Sequence, residues 1–104
     1  MNVPSNNHFQ FMRDNVAQAA DMLRLLSNEH RLLVLCLLLE QGEMSVTALL
    51  EHLEIGQSAL SQHLAKLRAA RLVTYRRDAQ VLYYRIQSND VSQLIATLKQ
   101  IYCP

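Results

Sequence analysis

The residues best suited to do chemistry here are two thiols and a run of bases. Cys36 lies inside the apolar run Leu32 to Leu39, and Cys103 is penultimate, in Ile101-Tyr-Cys-Pro104. A cysteine in an apolar helix is ordinarily a small core residue. Two thiols are too few for a secreted disulfide scaffold, so they read as packing, metal-binding or redox groups in a reducing compartment. The bases are unevenly spread, although the net charge is only +1. Between Glu40 and Glu54 stand four acids and no Lys or Arg; between Lys66 and Arg85 stand six bases and one acid, Asp78. A basic block in a nearly neutral chain is the footprint of a polyanion site, and the alternative is a solvated face that carries arginines.

The segment just before most of these bases sharpens that reading. On a helical wheel, Gln57, Ser58, Ser61, Gln62, Ala65 and Arg68 fall opposite Leu60, Leu64 and Leu67. A merely solvated face usually carries long charged chains, whereas this one carries hydroxyls and amides. Gln can pair bidentately with adenine, and Ser can bond base edges or phosphates. His63 sits on the flank of the apolar side, where packing and a phosphate contact are equally open. Arg76 and Arg77, expected at the tip of a following hairpin, and Arg85 on its return strand would neutralise phosphates or enter a minor groove. Alternatively they are strand-edge charges that oppose aggregation.

Enzyme chemistry finds no foothold. There is no Gly-rich phosphate loop, no nucleophile elbow and no plausible pair of carboxylates. His8, His30, His52 and His63 lie on different segments without ligand spacing, so neither metal nor cofactor is expected.

The elements that must position these groups follow from periodicity. Residues 1–8, with Pro4, Ser5, Asn6 and Asn7, read as a flexible tail before a single domain over 9–104. Phe9, Met12, Val16, Ala19, Leu23 and Leu26 form one helical stripe. Ser27 or Asn28 can cap a second helix that runs to Gln41, with Gly42 as a left-handed terminator. Ser45 can cap a short helix over Val46 to Leu53, and after Gly56 the polar-faced helix spans Gln57 to Ala70. Leu72 to Arg77 and Val81 to Ile86 are rich in β-branched and aromatic residues and read as two strands of a hairpin. The link Asp78-Ala79-Gln80 lacks the glycine of a tight primed turn, which predicts a longer or irregular tip. Asn89 can cap a final helix with Val91, Leu94, Ile95, Leu98, Ile101 and Tyr102 on its apolar side. The fold expected is mainly α with a small β-hairpin: four helices, a hairpin and a helix, a winged helix-turn-helix. The polar N-terminus predicts no secretory leader, and the eight-residue apolar run is far short of a membrane span, so a cytoplasmic protein without membrane contact is expected.

With these residues in place, Gln57-Ser-Ala-Leu-Ser-Gln-His-Leu-Ala-Lys-Leu-Arg68, followed by Leu72-Val73, the hairpin and Tyr84, resembles the ArsR family of bacterial winged-helix repressors. The resemblance covers roughly Ala17 to Cys103. It implies a homodimer through the first and last helices, with Phe9, Met12, Val16, Ala19, Leu23, Leu94, Leu98 and Ile101 at the interface. It also implies a double-stranded DNA target with an imperfect inverted repeat. Arg71 departs from the family, which usually has Gly there, and this predicts a strained or altered turn. The thiolate metal site of the family has no counterpart in Ser45-Val46-Thr47. The carboxylate and histidine site of the last helix has none either, since Asn89 to Pro104 holds no His. The Cys36 and Cys103 pair with its Tyr-Cys ending looks like the branch that includes HlyU, YgaV and BigR. That resemblance implies redox sensing of persulfides, polysulfides or oxidants through a di- or polysulfide bridge. An anti-silencing or architectural DNA binder, and a metal-responsive repressor with a non-standard site, are the alternatives.

Overall fold

The computed structural model describes residues 3–103. Among them the order is α1 (Val3–Leu26), α2 (Glu29–Gln41), β1 (Met44–Ser45), α3 (Val46–Glu51), α4 (Gln57–Ala69), β2 (Val73–Asp78), β3 (Val81–Ile86) and α5 (Asn89–Tyr102). The first helix starts at Val3 rather than at Phe9, so it takes in most of the segment expected as a tail. Pro4 does not prevent this, because a first-turn residue has no intrahelical use for its N–H.

Caps set the other boundaries. Asn28 accepts from the Arg31 N–H at 3.1 Å and starts α2. Gly42 ends it at φ +83, with its N–H on the Leu38 carbonyl at 2.8 Å. Ser45 accepts from the Ala48 N–H at 3.1 Å and starts α3, which stops at Glu51 rather than Leu53. The last helix is capped by Ser88, not by Asn89: the Ser88 hydroxyl accepts from the Val91 N–H at 3.2 Å, and Asn89 is already helical. In a run of adjacent capping types, the residue that stays extended takes the role.

The turn from α4 into β2 explains the departure at Arg71. The Leu72 N–H reaches the Leu67 carbonyl and the Arg71 N–H reaches the Arg68 carbonyl, each at 2.9 Å. This is the Schellman pattern, and it demands a left-handed residue at the position Arg71 fills. Arg71 adopts φ +62 to meet that demand, so the predicted strain is present. Leu67 and Leu72, the apolar pair of the motif, are both buried.

The strands form one antiparallel sheet in the order β1-β3-β2. β1 pairs Met44 with Tyr84 and Ser45 with Tyr83, a third strand too short for alternation to announce. The β2–β3 ladder runs from Val73 opposite Ile86 to Asp78 opposite Val81. That leaves a two-residue tip, Ala79-Gln80, instead of the longer loop expected. Ala79 takes φ +56 in place of a glycine, because pairing up to Asp78 and Val81 dictates a tight turn. Arg76 and Arg77 therefore lie within β2, not at the tip. The core gathers Leu26, Val34, Leu35, Leu38, Leu49, Leu60, Leu64, Leu67, Val73, Val91 and Ile95 among its buried side chains. Among the described residues, no helix is long and apolar enough to cross a membrane.

Candidate nucleic-acid interface and thiol pocket

Burying Leu60, Leu64 and Leu67 turns the opposite side of α4 outward, and Gln57, Ser58, Ser61, Gln62 and Arg68 are all exposed. Gln57, Ser61, Ala65 and Arg68 face Leu82 and Tyr84 of β3 across an open cleft between helix and wing. One side of the cleft is pinned by stacking: the Arg68 guanidinium lies 4.3 Å from the centre of the Tyr75 ring, which sits 5.3 Å from Tyr84. Such cation–aromatic contacts hold a cation over the electron-rich ring face.

Strand alternation sorts the wing arginines. Arg77 lies opposite Leu82 and shares its face with Tyr75 and Tyr84, the side turned to α4. Arg76 and Arg85 belong to the other face. There Arg76 grips Glu43 with two bonds, Nε to Oε2 and Nη2 to Oε1, each 2.9 Å. Its guanidinium also lies 4.5 Å from the Tyr83 ring centre. The hydrogen bonds from Arg76 hold the Glu43 carboxyl below the usual carboxylate range. Sequence reasoning counted Glu43 only as one acid of an acid-rich stretch, and no local signal marks it as the partner of Arg76.

His63 is half-buried on the α2 side of α4. Its Nδ1 accepts from Arg31 Nε at 3.1 Å, and its ring is 5.8 Å from that of His30. Burial, followed by the nearby Arg31 charge, pushes its pKa down.

The thiols come together elsewhere. Cys36, from α2, and Cys103, the residue that ends α5, line one pocket of about 190 Å³ with Leu32, Leu98, Lys99 and Tyr102. Both are free thiols; Cys36 is half-buried and Cys103 exposed. Burial pushes the Cys36 thiol up, the Lys99 charge pulls it down, and Cys103 and Glu40 push it up further.

A family model described as bacterial regulatory protein, arsR family, matches residues 28–75, which hold α2 to α4 and the start of β2. The transcriptional activator HlyU of Vibrio cholerae is 45% identical over 96 residues, covering 92% of this chain and 88% of that protein. The solved structure of reduced HlyU from that species superposes with a TM-score of 0.85, covering 91% of this chain and 99% of the other. This chain belongs to the ArsR family. It is accordingly a DNA-binding transcriptional regulator. The HTH-type transcriptional regulator YgaV of Escherichia coli is 40% identical over 89% of this chain and 94% of its own. The biofilm growth-associated repressor of Xylella fastidiosa is 37% identical over 88% of this chain and 80% of its own. The expected likeness to this branch of the ArsR family is thus borne out.

Two further features bear on how this ArsR-family chain works. Among the described residues no three His, Cys, Asp or Glu side chains cluster as metal ligands would. And α1 leaves Phe9, Phe11, Met12, Val16 and Leu23 more than half exposed, as α5 leaves Ile101 and Tyr102. Leu94 is less exposed, at 39%. Leu98, also expected at an interface, is partly buried against the core of its own chain and lines the thiol pocket.

Proposed function

We propose that this ArsR-family regulator is a homodimeric, sequence-specific repressor that binds an imperfect inverted repeat and releases it when Cys36 and Cys103 become bridged by reactive sulfur. The observation that carries the sensing is the meeting of the two thiols on one apolar pocket between α2 and α5. The exposed Cys103 thiolate takes the outer sulfur of a persulfide donor and expels the donor's thiolate. The Cys36 thiolate then attacks the inner sulfur of that Cys103 persulfide and expels hydrosulfide. The protein loses two electrons, the donor sulfur gains them, and a disulfide remains. With a second donor equivalent, Cys36 arrives as a persulfide and the same displacement leaves a trisulfide. An oxidant would reach the disulfide through a Cys103 sulfenic acid, expelling water.

The bridge would tether α2 to α5. The exposed apolar faces of α1 and α5 support dimerisation through those helices. A tether on α5 would therefore alter the spacing of the two α4 helices, which DNA requires to be near one helical turn, about 34 Å. Within the dimer, Gln57, Ser58, Ser61 and Gln62 would read base edges and Arg77 would meet phosphate.

The test is the intact mass of reduced protein after exposure to inorganic polysulfide, followed by DNA release from the same samples. The expected result is loss of two protons per protomer, with or without added sulfur, abolished in Cys36→Ser and in Cys103→Ser. Release of DNA by a protein carrying both substitutions would sink the reading. A second reading, activation of transcription, is favoured by the name of the HlyU relative. A promoter–reporter assay with and without the protein decides the sign.

A further inference from the structure

Arg31 ties three elements together. Its backbone N–H is held by the Asn28 cap at 3.1 Å. Its Nη1 donates to the Leu25 carbonyl, in the last turn of α1, at 3.1 Å. Its Nε donates to His63 Nδ1 on α4, also at 3.1 Å. Carbonyls in a last helical turn have no partner within the helix, so Arg31 fills a vacancy at the end of α1. His63 is the residue after Gln62 and two after Ser61, both on the exposed face of α4.

We propose that His63 is a positioning residue for DNA recognition: by accepting from Arg31 it fixes how α4 is rolled against α1 and α2, and it does so only as the neutral imidazole. A guanidinium only donates, so the ring nitrogen that faces it must carry no proton. The single proton of the neutral ring then sits on Nε2. A second proton would turn Nδ1 into a donor aimed at a donor and place two like charges in contact. The charged and titratable groups that face His63 are Arg31 and His30 from α2 and Lys66 from α4 itself; none is acidic. Each of them opposes protonation, as does burial, so the contact is intact at neutral pH and lost on acidification.

This rests on DNA binding alone and not on the thiol chemistry. It has an unusual signature, because acidification ordinarily adds positive charge to a protein and strengthens its hold on phosphates. The experiment compares wild type, His63→Asn and His63→Ala on a duplex that the wild type selects from a random-sequence library. Fluorescence anisotropy gives affinity from about pH 8 down to about pH 5. Asn keeps an acceptor oxygen near the Nδ1 position and does not titrate. The wild type should weaken as pH falls, while His63→Asn should match it at neutral pH and hold its affinity in acid. His63→Ala should bind about tenfold more weakly at neutral pH, as expected for losing a hydrogen bond from a charged donor. A wild type that tightens steadily in acid would overturn the proposal. So would a His63→Asn protein that melts like the wild type yet follows its pH profile. If the alanine protein does not fold, the asparagine comparison decides alone.

Discussion

Lys99 reaches Glu40 across the junction of α5 and α2, Nζ to Oε2 at 2.7 Å, and the same lysine lines the pocket that holds both thiols. Of the influences on the Cys36 thiol, Lys99 is the one that favours the thiolate; burial, Cys103 and Glu40 oppose it. Burial is the largest of these, so Cys36 deprotonates at higher pH than an ordinary cysteine. Since the thiolate is the nucleophile, Cys36 should react slowly near neutral pH and faster as pH rises. Iodoacetamide should label the exposed Cys103 first. Lys99→Ala should slow Cys36 further, and Glu40→Gln should speed it. Timed alkylation read by peptide mass checks all three, and equal Cys36 rates in wild type and Lys99→Ala would remove Lys99 from the account.

Arg71 holds φ +62 in the Schellman turn and its side chain is exposed. A left-handed backbone costs a residue with a Cβ about 1 kcal/mol relative to glycine, part of which glycine returns as extra freedom in the unfolded chain. Arg71→Gly should therefore stabilise the protein by a net of about 0.5 kcal/mol, raising Tm by roughly 2–4 °C for a domain of this size. Calorimetry of the two proteins checks it, and a lower Tm in the glycine protein would show that Arg71 makes a compensating contact.

That turn also shows how far sequence reasoning reached. The strain at Arg71 was legible only through the family resemblance, which places a Gly there; the Schellman turn in front of the buried Leu72 supplies the physical reason. The helices from α2 to α5 were legible because each buries one stripe, with capping side chains at the start of α2, α3 and α5, whereas α1 was legible from a stripe that it leaves largely exposed. What was hidden depended on pairing at a distance. β1 has two residues, too few for a period, and exists because Tyr83 and Tyr84 offer it a free edge. The tight tip at Ala79-Gln80 follows from ladder register, which overrode turn preference. Cys36 and Cys103 were notable only by type and by resemblance; the packing of α5 on α2 is what brings them to one pocket. The partnership of Arg76 with Glu43 had no local sign at all.

The exposed apolar stripe of α1 leads to a prediction about assembly. Phe9, Met12, Val16 and Leu23 are 63%, 57%, 52% and 60% exposed, and burying what remains exposed would contribute about 1–2 kcal/mol each. A charge on this stripe would have to be buried without a partner. For the proposed dimer, Leu23→Asp should therefore shift the protein toward monomers relative to the wild type, as read by sedimentation velocity. It should also lose tight binding to an inverted repeat, since one subunit reaches one half-site. A Leu23→Asp protein that sediments as the wild type does would take the proposed interface off this stripe.

The two neighbouring wing arginines should behave differently on DNA. Arg77 shares the sheet face turned to α4, whereas Arg76 is on the opposite face and is held by Glu43. A side chain that neutralises a phosphate releases a counterion, and removing it lowers the salt slope of binding by about one. Arg77→Ala should show that loss and should weaken all duplexes alike. Arg76→Ala should leave the slope nearly unchanged, and Glu43→Ala, which frees Arg76, should steepen it. Acid is another route to the same release. The Glu43 carboxyl is depressed in the folded protein, so its bond to Arg76 persists through the ordinary carboxylate range and is lost only as pH falls through that lowered value. Gln62→Ala supplies the contrast, because the amide proposed to read a base carries no charge: it should relax sequence preference and leave the slope alone. Anisotropy titrations at several salt concentrations separate these cases, and an Arg76→Ala slope that falls as far as that of Arg77→Ala would mean that Glu43 yields Arg76 to the phosphate backbone on binding.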